Sequence, residues 1–366
     1  MKKRILFLII LCLLLSGCGT WMDGAYHSIT PHTNQDIREE QEITQVFNYS
    51  DICTALEDMV RSAVESGTLS AQSYTMERLT NHMEPAIRHI KTTFPLGAYA
   101  VEDITYEVGT SRGSSAVAIT ITYNHNRNVL PKIRQVNSMA VAENLITTAL
   151  NRCDSSLVMY VENYVSTDFL QLIRDYAMFH PAQVMEIPQL TENHYPESGT
   201  RRVIALQFTY QNSKESLLNM QSYVQPVFSS ASLYVSGESD QNIKFEMLSS
   251  FLMGRNDYTV ETSMTPAYSL LRHGVGDSKA FASVYASMCR RAGLNCQMIS
   301  GTKNGESWHW NIIQIDDNYY HVDLLQIRED GKFQKSTDDQ MGGYVWDYSA
   351  YPACVAPEPD YNDGTE

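Results

Sequence analysis

At Gly274-Val275-Gly276-Asp277-Ser278 a glycine-rich turn runs straight into a helical pattern, which puts a hydroxyl in the first turn of a helix with a carboxylate beside it. A serine hydroxyl is far less acidic than a thiol, so a helix dipole alone cannot ionise it. Nucleophilic chemistry here requires a positioned general base and a group that orients that base. The side chains that could serve are His309, His321 and Asp323, all within the next 45 residues. His321 stands two before Asp323 and is expected to share its face, whereas His309 sits between Trp308 and Trp310 and points the opposite way from both. Cys289 lies eleven residues after Ser278, about 16 Å along the helix, too far to replace it as nucleophile. His82, His89, His125, His180 and His194 have no acidic or thiol partner at a useful spacing and are expected as surface or core residues. Of the seven cysteines, Cys53, Cys153, Cys289, Cys296 and Cys354 show no C-x-x-C spacing and no histidine at ligand distance. They read as small buried hydrophobes with at most one bridge, and no metal or cofactor is expected.

The last third of the chain must position these groups. A helical pattern with Phe245, Leu248, Phe251 and Leu252 leads through Tyr258 and Tyr268-Ser269-Leu270-Leu271 to the turn. Ala280, Phe281, Val284, Tyr285, Met288, Cys289 and Ala292 then recur at three- and four-residue intervals, predicting a helix that buries one face, capped by Asp277 or Ser278 and stopped by Gly293. Upstream, residues 51–225 read as two copies of one unit, 51–138 and 139–225. Thr54-Ala55-Leu56 returns as Thr148-Ala149-Leu150, Ile87-Arg88 as Ile173-Arg174, Phe94 as Phe179 and Thr122-Tyr123 as Thr209-Tyr210, at offsets of 94, 86, 85 and 87. Each copy is expected to hold two helices and then a strand, 117–123 or 203–210, making a small α+β unit.

From Gly276 onward the sequence resembles the transglutaminase-like superfamily, related to cysteine proteases. That pattern is a Gly-rich turn, Asp-Cys at a helix start, Gly-(Ile/Leu) after the helix, His-x-Trp-Asn on one strand and Val-Asp on the next. The corresponding residues are Gly276-Asp277-Ser278-Lys279-Ala280-Phe281-Ala282, Ala292-Gly293-Leu294, Trp308-His309-Trp310-Asn311 and Tyr320-His321-Val322-Asp323. Ser336-Thr337-Asp338-Asp339-Gln340-Met341, Trp346-Asp347 and Tyr351-Pro352-Ala353-Cys354 are similar to the tail of bacterial members. The resemblance implies an α+β, papain-like domain over 226–354, in which a thiolate at a helix N-terminus attacks a carbonyl and a histidine oriented by an aspartate shuttles the proton. Two of the three columns depart from it. Ser278 stands where the family has cysteine. Because twelve residues separate Asn311 from Asp323, as in the family, the histidine column falls on Trp308 and His309 occupies the variable position. On a regular strand His309 would then face away from Ser278. The expected site is a degenerate triad of Ser278, His309 and Asp323 with Trp308 in the histidine column. Trp308 and Trp310 are expected in the core, with a shallow aromatic cleft that they form with Tyr319 and Tyr320, suited to peptide or sugar, as the other reading.

Residues 1–17 combine Lys2-Lys3-Arg4 with an apolar run too short to span a bilayer, which reads as a signal peptide for export. Leu15-Ser16-Gly17-Cys18 resembles a bacterial lipobox, implying cleavage before Cys18, diacylation of its thiol and an extracytoplasmic position on the cell membrane. Residues 18–50 read as a flexible tether reaching on the order of 30 Å, and 355–366 as an acidic disordered tail. Removing Lys2, Lys3 and Arg4 takes the formal charge from −15 to −15 − 3 = −18, which disfavours nucleic acid and anionic lipid headgroups as partners. The expected partners are a peptide, protein or cell-wall ligand, and the membrane through the anchor. The expected function is a cell-surface lipoprotein whose transglutaminase-like domain binds or scaffolds without turnover. The alternative is an extracytoplasmic amide or ester hydrolase, or acyl transferase, with Ser278 as nucleophile. A third reading gives the biological role to residues 51–225, with the C-terminal domain as a cap.

Overall fold

The computed structural model describes residues 44–111 and 114–356. The expected signal segment, Cys18, most of the tether and residues 357–366 of the tail lie outside the described residues.

Two four-stranded sheets precede the site, and they are built alike. In the first, β1 (Thr44–Gln45), β2 (Ser66–Ser70), β3 (Val101–Ser111) and β4 (Ser114–Tyr123) stand in the order β1-β2-β4-β3, with β1 parallel to β2 and the other pairs antiparallel. In the second, β5 (Arg134–Val136), β6 (Ser156–Val161), β7 (Gln189–Tyr195) and β8 (Arg202–Thr209) stand in the order β5-β6-β8-β7 with the same directions. Helices α1 (Tyr49–Arg61) and α2 (Met76–Thr92) fill the first two connections of one sheet, α3 (Met139–Asn151) and α4 (Phe169–Phe179) those of the other. The strands read at 117–123 and 203–210 correspond to β4 and β8; β2, β3 and β7 carry too many polar residues to stand out in the sequence, whereas β6 is a short apolar run that the reading leaves out.

The helices show how one register drifts. α1 buries Ile52, Leu56 and Val60 and is followed by Ala63 at φ 55°; α3 buries Ala142, Ile146 and Leu150 and is followed by Cys153 at φ 50°. Each of these pairs is 90 apart (142 − 52, 153 − 63), so Thr54-Ala55-Leu56 and Thr148-Ala149-Leu150, at 94, sit about one turn out of step. In the sheets, Ser66 pairs with Thr120 and Ser156 with Gln207. The difference 207 − 120 = 87 equals the offset between Thr122-Tyr123 and Thr209-Tyr210, so those dipeptides hold one ladder position. Phe94 is buried whereas Phe179 is exposed.

Three expected boundaries move. β1 and the fully buried Val46 belong to the first unit, so the tether does not extend to residue 50. β5 pairs with β6, so the second unit begins by 134 rather than 139. The boundary at 225 falls inside α5 (Lys214–Tyr234), whose Leu217, Val224 and Phe228 pack with Phe245, Leu248 and Phe281 in the C-terminal core.

That core is built on α6 (Gln241–Met253) and α7 (Ser278–Arg291) against a sheet of β11 (Cys296–Lys303), β12 (Glu306–Ile315), β13 (Asn318–Val322) and β14 (Tyr344–Trp346), ordered β13-β12-β11-β14. A two-residue ladder between β9 (Asp257–Tyr258) and β10 (Val275–Gly276) ties down the turn before α7. A Cβ on Gly276 would stand 3.0 Å from the Ala280 Cβ and 3.1 Å from Leu270 Cδ1, so glycine is what allows this close approach. The expectation that α7 buries one face is corrected, because residues 280–289 are all buried. The sheet covers one side and α5, α6 and α4 the rest, with the Ser283 hydroxyl donating to the Met178 carbonyl at 2.8 Å. Alanine and serine at 280, 282, 283, 286 and 287 make this close packing possible and give an enclosed helix the composition of a half-exposed one.

Candidate functional site

Asp277 caps α7. Its Oδ1 accepts from the Ala280 N–H at 2.9 Å and its Oδ2 from the Thr262 hydroxyl at 2.7 Å. A carboxylate is stabilised at that end of the helix dipole, and its charge opposes ionisation of the adjacent residue 278. Ser278 is buried, and its Oγ accepts from the backbone N–H of His309 at 3.3 Å.

Along β12 the side chains alternate. Asn311 Nδ2 donates to the Ala282 carbonyl at 2.9 Å and Ile313 packs with Phe281 and Val284, so 309, 311 and 313 share the α7 face. Trp310 and Ile312 pack on the other side with Ile299, Met341 and Trp346. The expectation that His309 turns away from Ser278 is therefore overturned at the level of the sheet face; counting fixed the alternation but not which face meets the helix. Among the described residues no imidazole nitrogen hydrogen-bonds to Ser278 Oγ, and His309 Nδ1 is buried without a partner. Burial, reinforced by the Lys279 ammonium, holds the His309 imidazole below its ordinary pKa.

Asp323 caps α8 (Leu324–Asp330) through Oδ1, which accepts from the Leu325 N–H at 3.0 Å. Its Oδ2 accepts from Trp308 Nε1–H at 2.9 Å, the Tyr344 hydroxyl at 2.6 Å and Lys303 Nζ at 3.2 Å. Trp308, in the column that the resemblance gives to histidine, thus keeps the hydrogen bond to the aspartate. An indole N–H donates and has no lone pair to take a proton, so it cannot act as a base. Lys303 Nζ also lies 5.0 Å over the Trp308 ring and 5.1 Å over that of Tyr344. Burial and the Asp323 charge push the Tyr344 hydroxyl far above its ordinary pKa, so it remains a donor. Lys303 and Tyr344 are absent from the sequence reading; they meet because β11 and β14 pair them directly, a contact across 41 residues that no local spacing announces.

His321 is buried on the opposite face. Trp310 Nε1–H donates to its Nδ1 at 2.9 Å, and its Nε2 lies 2.8 Å from Asp338 Oδ1. Since an indole only donates, Nδ1 is the acceptor and Nε2 carries the ring proton. Both nitrogens are engaged, so His321 cannot serve Ser278. Its expected shared face with Asp323 does not form, because Asp323 lies past the end of β13 as a helix cap. Cys354 joins His321 and Asp338 with ligand atoms within 4.8 Å of one another. A metal on Nε2 would force a protonated Nδ1 against the Trp310 N–H, donor to donor, so this group does not suit one. Burial and Asp338 push the Cys354 thiol up to about 12. The five cysteines among the described residues are all free thiols. The aromatic cleft does not assemble either: Trp310 and Tyr319 pack on one cluster, Tyr320 on another, and Trp308 meets Tyr258 at 5.6 Å between ring centroids.

His180, His194, His309 and His321 all have pKa values lowered chiefly by burial. Each folded value lies below the unfolded value of about 6.5, so the unfolded chain binds more protons as the pH drops through that range. Their contribution is fully present above about pH 6.5 and is lost below it. The melting temperature is expected to fall steadily from pH 7 to pH 5; a flat or rising profile in calorimetry would contradict this.

The family model described as the transglutaminase-like superfamily matches residues 231–337, from the end of α5 past Asp323. Those residues form a transglutaminase-like domain. Solved structures with similarity include a TGase at 9% identity, covering 60% of this chain and 64% of that one with a TM-score of 0.28. A proposed protease from Parabacteroides distasonis shares 9% identity over 61% of this chain and 39% of that one, TM-score 0.22. A proposed cysteine protease from Cytophaga hutchinsonii shares 11% over 43% and 70%, TM-score 0.26. The chain thus spans less than two thirds of the first two. No curated protein matches it. Within the transglutaminase-like domain the Trp308 indole is on Asp323, and the aspartate is saturated by four donors.

Proposed function

We propose that this chain is an exported bacterial cell-surface lipoprotein, acylated at Cys18, whose transglutaminase-like domain binds a peptide, protein or cell-wall ligand without turning it over. The observation that carries the reading is the Trp308 indole on Asp323, where the catalytic scheme needs an imidazole. Removing one member of such a unit costs on the order of 10⁴–10⁶ in rate, and here the thiol is replaced as well. The basic, apolar and small-residue order of residues 2–18 supports the anchor, and the acidic mature chain supports partners other than nucleic acid.

One observation favours the competing reading, an amide or ester hydrolase or acyl transferase acting through Ser278: His309 shares the α7 face and its Nδ1 has no partner. A fluorophosphonate probe separates the two. No labelling is expected over hours at pH 7 to 8. Labelling that disappears in Ser278→Ala would establish the hydrolase and overturn the binding reading.

A further inference from the structure

Between the second unit and the transglutaminase-like domain lies a cavity of about 250 Å³ that neither the degenerate triad nor the family pattern uses. Its wall is made by Met178, Val184 and Met185 on one side and Met264, Ala280 and Val284 on the other. Most polar groups in the wall are already engaged. The Glu186 carboxylate accepts from the backbone N–H groups of Gln211 and Asn212 and from the Asn212 amide. The Ser283 hydroxyl donates to the Met178 carbonyl and the Thr262 hydroxyl to Asp277. Lys279 also lines the cavity, and among the described residues its ammonium acts on the His309 imidazole but makes no hydrogen bond or ion pair. The result is an apolar chamber with polarisable, adaptable thioethers and one uncommitted cation. At less than the roughly 300–1,000 Å³ of drug-sized sites, it takes a single short chain rather than a ring system.

We infer that this cavity binds a short apolar carboxylate, its chain among the methionines and its carboxylate on Lys279. The inference rests on the binding reading and supplies a ligand class for it, but it does not depend on the state of Ser278. Such a group could come from a fatty acid or from the apolar C-terminal residue of a peptide, and octanoate and N-acetyl-leucine represent the two sources. Octanol and octylamine carry a comparable chain without the negative charge.

The test uses the purified protein with ¹³C-methyl methionine, the Met178, Met185 and Met264 resonances being assigned by single Met→Leu changes. Titration with octanoate or N-acetyl-leucine at millimolar concentration is expected to shift these three signals, and whichever of the two binds more tightly identifies the source. Octanol should bind more weakly and octylamine weakest. Lys279→Gln, a change at a partly exposed position, should weaken octanoate about five-fold and leave octanol unchanged. Unmoved methionine signals with both carboxylates would overturn the site. Tightest binding of octylamine would show that Glu186 governs the chamber and would overturn the ligand class. Neither failure bears on fluorophosphonate labelling, so the loss of this inference and the loss of the non-catalytic reading remain separable.

Discussion

The double substitution Ser278→Cys with Trp308→His is expected to produce a thiol that iodoacetamide alkylates at pH 6 tens of times faster than Ser278→Cys alone. In the single variant the thiol sits at the start of α7, where the dipole favours the thiolate but the Asp277 carboxylate, held by Ala280 N–H and the Thr262 hydroxyl, opposes it. Its pKa should stay near the ordinary 8.5, leaving below about 1% thiolate at pH 6. The second change replaces an indole that only donates to Asp323 with an imidazole able to donate to Asp323 and accept from the thiol. Thiols in such pairs have pKa values of roughly 3.5–7.5, and a value in the lower half of that range makes most of the population thiolate at pH 6. The lower basicity of that thiolate reduces its intrinsic nucleophilicity, which trims the gain from about a hundredfold to tens. Residue 308 adjoins the His309 N–H that bonds Ser278 Oγ, and the expected gain requires its imidazole, anchored on Asp323, to reach the thiol although 308 and 309 alternate along β12. If the double variant reacts no faster than the single one, residue 308 is not the histidine column and the register drawn from Asn311 and Asp323 is wrong. Iodoacetamide rates followed from pH 4 to 9 would show it directly.

What could be read from the sequence here, and what could not, follows the reach of each signal. The turn at Gly276 and the Asp277 cap are local, and each appears where the spacing put it, whereas the α7 periodicity gave the helix but not its burial on every side. The twelve-residue count from Asn311 to Asp323 put Trp308 in the histidine column of the resemblance, and in the structure its indole donates to the aspartate at 2.9 Å. Alternation along β12 was also correct, but a period of two fixes only that neighbours differ; Asn311 bonding to Ala282 decides which face is inward. The pairing of Lys303 with Tyr344 arises from strand order, and strand order is a tertiary property. The boundary at 225 failed for a related reason: α5 is a single helix whose buried residues belong to the C-terminal core, so a break in repeat pattern does not coincide with a break in packing.

Asp323→Ala is expected to destabilise the C-terminal domain by about 3 kcal/mol, enough to lower its melting temperature on the order of 10 °C. The alanine leaves the Trp308 indole, the Tyr344 hydroxyl and the Leu325 N–H without their acceptor, and Lys303 without its counter-ion. Each unsatisfied buried donor costs about 1–3 kcal/mol, but Lys303 retains Gln326 and is 18% exposed, so part of its charge can return to water and the total stays near the lower bound. Asp323→Asn keeps one accepting oxygen and should cost about half as much. Lys303→Met should cost less again, because three N–H and O–H donors still hold the aspartate's charge. That order, Ala worse than Asn worse than the loss of Lys303, is what a carboxylate retained as a structural acceptor requires. An aspartate kept only to orient a histidine would be replaceable by alanine with little change in calorimetric stability, because four simultaneous donors would not depend on it. A melting temperature for Asp323→Ala within a degree or two of the parent would therefore show that the donors around Oδ2 are not held by the aspartate, and would return Asp323 to a role in chemistry.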